Sequence, residues 1–462
     1  MPQEHPIINT PLDIRCPLTQ TQKGIYAECM KREGEPVYNA TILVRINAAI
    51  DAQRLADAIS NALNAHVVTK VHIKAGDDGT PYMEYDESLA EDMCQVIHTT
   101  EAEFALMRQD IVKPFNLACD RLCRATVFVT ETCTYYCLDI HHIIFDGISM
   151  GVFFDEIDRF YHGEPLRQEL VTAFDISVRE AKLRQTTALA TARDWYLKEY
   201  GDLESVTLPE PDKNNGGAMS FSHQNIRLRF TPQQLQQFCQ QTETSPSAFT
   251  CAAFGRLLGT YTGKHDLAFA SIWHGRHDKD TLRTMSMMVK TIPVRCRYDA
   301  DTTVTDYVRQ LTQQSRDTRQ YDIYSFAELC SETNLTADML FAYHGPIRGS
   351  FTIDGCKFIP EIINEKETGA HIAISVVEDD NGLFVKVEYF SNLYSDDYIA
   401  RLIDSFDTVM ANMAANPQAK VCNISIVSDS QQIASSELYR EGDYTAKRGT
   451  FQIHALRHPD AP

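Results

Sequence analysis

No run of about 18 apolar residues occurs anywhere in the 462-residue chain, so nothing reads as a membrane-spanning helix. The N-terminus, Met-Pro-Gln-Glu-His-Pro, lacks the charged-then-apolar pattern of a secretory signal. Positive charge is scarce: 43 Lys and Arg stand against 63 Asp and Glu, a formal net charge of -20. Neither a nucleic acid nor an anionic membrane is an expected partner. Glycine-rich dinucleotide and P-loop signatures are missing, as is any short-period repeat. The 13 cysteines form no tight framework. The pairs Cys119/Cys123 and Cys133/Cys137 have no matching Cys/His pair at zinc spacing. An odd thiol count in a chain of this size fits reduced cysteines in a cytoplasm, and no metal site is expected.

What is present is ample apolar content, 44% of residues, enough for the cores of two or three domains. Strand and helix patterns alternate in both halves, which predicts an α/β (α+β) protein of two lobes. Residues 201–221 are polar and turn-rich and read as an exposed connection. Strands are predicted at Asn225 to Phe230, Leu267 to Ile272, Ile372 to Glu378 and Leu383 to Tyr389. Helices are predicted from Thr19 or Thr21 to Lys31, at Ile50 to Asn64, Thr186 to Tyr200 and Asp396 to Met413.

The most informative stretch runs from Tyr135 to Ser149. An apolar, aromatic and β-branched run reads as a buried strand ending at His141 and His142. Gly147 then marks a turn, and Ser149 is the predicted N-cap of a helix from Met150 to Tyr161. A base, a carboxylate (Asp146) and the N–H groups of a helix start are thereby gathered in one turn, which could serve acyl transfer. The same residues also read as a core histidine beside an ordinary turn.

The spacing His141-His142-x-x-x-Asp146-Gly147 resembles the signature of the nonribosomal peptide synthetase condensation domains. That family sits within the chloramphenicol acetyltransferase-like superfamily. Further segments are similar to its other motifs. Thr19-x-x-Gln22-x-x-x-Tyr26 matches the opening motif. Pro114-Phe115-Asn116-Leu117 and Leu122-Cys123-Arg124-Ala125 match the segments preceding the histidines, and Asp175 matches the acid of a Tyr-x-Asp-Tyr-Ala element. Gly275-Arg276, then Val289-Lys290-Thr291-Ile292-Pro293-Val294-Arg295, match a motif of the second half. There Lys290 replaces the family's asparagine, which would put a cation near the cleft floor. Around His66 only that histidine and a basic Lys70 survive of Arg-His-Glu-x-Leu-Arg-Thr. His274 and His277 read as loop polar residues.

The resemblance implies two acetyltransferase-like lobes in a V-shaped pseudo-dimer, at 1–180 and 181–429, with a cleft active site. A floor loop near 273–290 and a crossover within 345–395 would bridge them. Residues 430–462 would be a linker and the start of an adenylation domain, making this a piece of a larger synthetase.

The implied reaction joins a donor acyl or peptidyl thioester to the α-amine of an acceptor aminoacyl thioester. No cofactor is expected on the domain itself. Substrates would arrive on the 4'-phosphopantetheine of carrier proteins, or as an acyl-CoA donor. Carrier and adenylation domains are the expected partners of a monomer.

His142 would be the base or the hydrogen-bond donor to the tetrahedral intermediate, and the Gly147 N–H an oxyanion donor. His141 would pack. Asp146 would anchor the loop through Arg276 or Arg295. An N-terminal position would suit a starter domain with a fatty acyl donor. An epimerization domain and a non-catalytic recruitment platform are the alternatives; heterocyclization would require Asp at position 141.

Overall fold

In the computed structural model the described residues are 11, 15–46, 50–91, 93–165, 167, 169–203, 209–213, 219–346, 351–361 and 370–427. The adenylation-like segment expected at 430–462 lies outside them. The first of two six-stranded sheets runs, edge to edge, Phe351–Ile353, Cys356–Glu361, Asn39–Ile46, Thr134–His141, Cys123–Val129, Cys94–His98. Thr134–His141 is an inner strand, antiparallel to both neighbours, and all eight residues are buried. Covering both faces is what lets an unbroken apolar run be a strand rather than an alternating one. The helices Ala52–Asn64 and Gly147–Tyr161 pack together on this sheet. The former, capped by Asp51, buries Leu55, Ala56, Ile59, Ala62 and Leu63, one face at helical spacing. A small sheet of Cys16–Pro17, Pro81–Tyr85 and Val71–Ala75 closes the lobe.

The second sheet runs Lys290–Arg297, Asp266–Trp273, Met339–Pro346, Ile372–Asp379, Gly382–Phe390, Phe221–Arg227. Met339–Pro346 is parallel to both neighbours and the other pairs are antiparallel. The helices Pro232–Thr242, Pro246–Thr262, Val304–Gln320 and Asp396–Ala415 pack residues into a second core with this sheet. The strand expected at 225–230 lies earlier, at Phe221–Arg227. Thr231 and Pro232 open a helix just beyond, so Leu228 and Phe230 are core residues outside the ladder.

The two lobes exchange segments. The loop between Trp273 and Lys290 sends Met285 and Met287 into the first core. Cys356–Glu361 leaves the second lobe and adds to the first sheet, pairing Phe358 with Ile46. The crossover expected within 345–395 therefore includes 351–361. The boundary expected after residue 180 falls inside the helix Ala173–Arg184. That helix roots Phe174 in the first core, and its Arg184 grips the Ile323 carbonyl (2.7 Å) and Glu328 (2.6 Å) of the second lobe. No helix among the described residues is long and apolar enough to cross a membrane.

Candidate active site

The strand Thr134–His141 delivers the histidine pair, and the chain then turns. Ile144 N–H donates to His141 O (3.1 Å) and Phe145 N–H to His142 O (3.3 Å). Ile143, Ile144 and Phe145 are essentially fully buried and root the turn in the core. His142 is partly exposed, whereas His141 is 2% exposed. The strand ends at His141, so His142 already belongs to the turn, where it escapes the burial that covers every residue of that strand.

His141 Nδ1 accepts from Ile143 N–H (3.1 Å), which places the ring proton on Nε2, facing Cys29 Sγ at 3.6 Å. Burial, reinforced by neighbouring His142, pushes the His141 pKa down to about 3. His141 is a neutral structural imidazole. Phe115 meets its ring edge-on (5.8 Å), and Arg124 lies 3.8 Å from the Phe115 centroid while pairing with Asp139 (3.2 Å). The two motif segments before the histidines therefore converge behind this ring.

Two further bonds hold the turn. His142 N–H donates to Tyr38 O (2.8 Å). Gln22 Nε2, from the helix Gln20–Lys31 capped by Thr19, donates to Ile143 O (2.9 Å). The sequence singled out Gln22 as part of the opening motif at a helix start, without this bond to the histidine turn.

The helix begins at Gly147 with Asp146 as its N-cap, so the cap predicted at Ser149 lies three residues too late. Asp146 Oδ1 accepts from the N–H and hydroxyl of Ser149, both at 2.9 Å, and from Arg276 (3.0 Å). Its Oδ2 accepts from Arg276 (2.8 Å) and Met288 N–H (3.0 Å). Both charged side chains are fully buried. The bidentate pair satisfies the geometry a buried ion pair requires, and Arg276 and Met288 come from the floor loop. The seat is shared by both lobes. Ser149 reinforces it, its hydroxyl sharing a single proton between Asp146 Oδ1 and Ser286 O (3.0 Å) and accepting from Ser286 N–H (3.1 Å).

Arg295, the other partner considered for Asp146, is not at this site. It pairs with Asp266 (2.6 Å) and Asp202 (2.9 Å). Five residues of extended strand carry it about 17 Å beyond Lys290. The Lys290 ammonium is not an open charge on the floor. It is held by Asp322 (3.0 Å) and Glu180 (3.7 Å). Burial opposes its protonation, but those carboxylates overturn that and raise its pKa.

His66 sits between Glu156 (2.7 Å) and Glu169 (3.2 Å). Burial alone would depress it, yet the two carboxylates hold its pKa up at about 9. Arg283 of the floor loop joins Glu156 at 3.1 Å. Sequence reasoning missed this network, whose one signal was Glu156 on the apolar face of the helix Gly147–Tyr161. His274 Nδ1 accepts from Arg276 N–H (3.1 Å), and His277 pairs with Asp322 (3.1 Å). A cavity of about 560 Å³ opens at the helix start, lined by Gly147, Ile148, Gly151, Arg283 and Ile353 among others.

Fold and site together define a two-lobed acyltransferase-like domain with its histidine turn seated on the second lobe's floor loop. The chain belongs to the Condensation domain family, whose model matches residues 14–434. It is 23% identical over 444 residues to tyrocidine synthase 3 of Brevibacillus parabrevis. That match covers 92% of the chain but 7% of the synthase, so the chain spans a small part of such a relative. Among solved structures it resembles the X-domain of teicoplanin biosynthesis, in complex with OxyB (TM-score 0.74, 18% identity, 91% of this chain, 98% of that one). It also resembles the starter condensation domain of rhizomide synthetase, in complex with C8-CoA (TM-score 0.70, 16% identity, 89% and 97%).

Proposed function

We propose that this condensation domain forms an amide between a donor acyl or peptidyl thioester and the α-amine of an acceptor aminoacyl thioester. One observation carries the reading: the partly exposed His142 stands on a turn that both lobes fix, through Tyr38, Gln22, Arg276 and Met288. The amine nitrogen attacks the thioester carbonyl, the C–S bond breaks, and the proton lost by nitrogen ends on the departing thiol. His142 accepts that proton or hydrogen-bonds the tetrahedral intermediate. The first N–H groups of a helix lack intrahelical acceptors, so Gly147 N–H is the oxyanion donor in this scheme. Arg276 neutralises the capping carboxylate, which keeps the helix start favourable for a developing negative charge. A thioester is already activated, so orienting two tethered reactants supplies much of the rate.

Carrier proteins bearing 4'-phosphopantetheine are the proposed partners, with an adenylation domain adjoining. The cavity at Gly147 is the proposed route for one arm. Likeness to the rhizomide starter domain makes acyl-CoA a donor to be compared with carrier-bound acyl groups. The likeness to the X-domain, solved with OxyB, supports recruitment as the second reading. The deciding assay incubates the chain with two loaded carrier proteins and reads the products by mass spectrometry. A new amide is expected. An inverted α-carbon identifies epimerization instead, and binding without chemistry identifies recruitment.

A further inference from the structure

Tyr38 has φ of +59°, one of three non-glycine residues with positive φ among the described residues. The left-handed region is unfavourable for a side chain lacking a local polar partner, and such strain persists where surrounding structure enforces it. Tyr38 lies at the point where enforcement has a use. Asn39 is paired with His141 at the end of the strand ladder, and Tyr38 is the next residue outward. Its carbonyl accepts the His142 N–H at 2.8 Å. The neighbouring residue is pinned in turn, since Asn39 Nδ2 donates to Lys113 O and to both oxygens of Asp139, each at 3.0 Å. Tyr38 is 40% exposed as a residue, so it is not held there by core burial.

We propose that Tyr38 is a positioning residue: its left-handed backbone turns a carbonyl onto the amide of His142 and thereby fixes where the imidazole stands. This rests on the reading of His142 as the reactive base. The requirement is conformational, so the substitutions that matter are ranked by access to positive φ rather than by size or polarity. Glycine and asparagine enter that region readily; valine, branched at Cβ, does not.

The test measures amide formation by Tyr38→Val, Tyr38→Ala, Tyr38→Gly and Tyr38→Asn, together with hydrogen exchange at the His142 amide and thermal unfolding. Tyr38→Val is expected to lower kcat by roughly 10- to 100-fold, the scale of a displaced catalytic group, with KM little changed and faster exchange at His142. Tyr38→Asn and Tyr38→Gly are expected to recover most of that loss, with exchange returning towards that of the unaltered chain. If Tyr38→Val unfolds, the milder Tyr38→Ala against Tyr38→Gly carries the comparison. Equal kcat across the series, or a loss confined to KM, overturns the inference. Should the unaltered chain form no amide, the functional reading fails. Exchange at His142 still decides whether Tyr38 holds it, and unchanged protection in Tyr38→Val or Tyr38→Ala contradicts that.

Discussion

Each lobe contains the same local unit, a hairpin whose second strand turns into a capped helix. In the first lobe Cys123–Val129 and Thr134–His141 lead to Gly147–Tyr161. In the second, Ile372–Asp379 and Gly382–Phe390 lead to Asp396–Ala415. Backbone solutions agree closely. Ile144 N–H returns to His141 O at 3.1 Å, and Leu393 N–H to Phe390 O at 3.0 Å. Asp146 caps Ser149 N–H at 2.9 Å, and Ser395 caps Tyr398 N–H at 3.1 Å. The side chains differ. Where the first lobe has His141, His142 and an acid cap, the second has Phe390, Ser391 and a hydroxyl cap. The acid cap is clamped by the other lobe, while Ser395 N–H donates to Asp212 (2.8 Å) in the connection leading into its own lobe. The shared unit supplies a platform; the charge brought across from Arg276 distinguishes the copy to which the proposed chemistry is assigned.

The largest difference between the two units is expected on removing the His142 imidazole. His142→Ala is expected to lower amide formation by about 10²- to 10⁴-fold, the range for a general acid–base group, with the unfolding temperature preserved. A loaded-carrier assay run beside a thermal melt checks both halves.

Next in size is the cap. Asp146→Ala strands a buried guanidinium and should cost about 3–5 kcal/mol, read by denaturant unfolding or as lost soluble yield. An effect of comparable size comes from acid. His141 is held neutral down to about pH 3 in the folded chain and titrates near 6.5 when unfolded. The unfolded state therefore binds the extra proton first, and stability falls as pH drops from about 6.5 towards 3, by a few kcal/mol. Replacing His141 with an apolar residue should flatten that limb of the stability–pH curve. His66 has the opposite sign, because its pKa is raised to about 9. Its contribution is complete below about pH 6.5 and fades as pH rises through 9.

The smallest effect belongs to the second unit. Ser395→Ala removes an ordinary helix cap and should cost about 1 kcal/mol, with amide formation retained. A loss as large as that of Asp146→Ala would erase the distinction between the two caps.

Much of this was legible in the sequence where the signal was local. The buried strand, the histidine turn and most helix starts followed from pattern and resemblance, which also named Arg276 as one of two arginine partners for Asp146. Local reading failed where two distant segments decide. Arg295 could not be placed because Asp202 and Asp266 approach it from elsewhere in the chain. The His66 network joins residues 66, 156, 169 and 283, which share no periodicity. The cap was misplaced by three residues because both Asp146 and Ser149 suit that role by type, and Arg276 and Met288 are what recruit the former.

Whether the second lobe's charge seats the first lobe's histidine turn is read by a double-mutant cycle. Unfolding free energies would be measured for the unaltered chain, Asp146→Ala, Arg276→Ala and the double variant. A coupling of roughly 2 kcal/mol or more is expected, within the range for interacting pairs, with the double variant costing far less than the two single losses combined. Additive losses would contradict it.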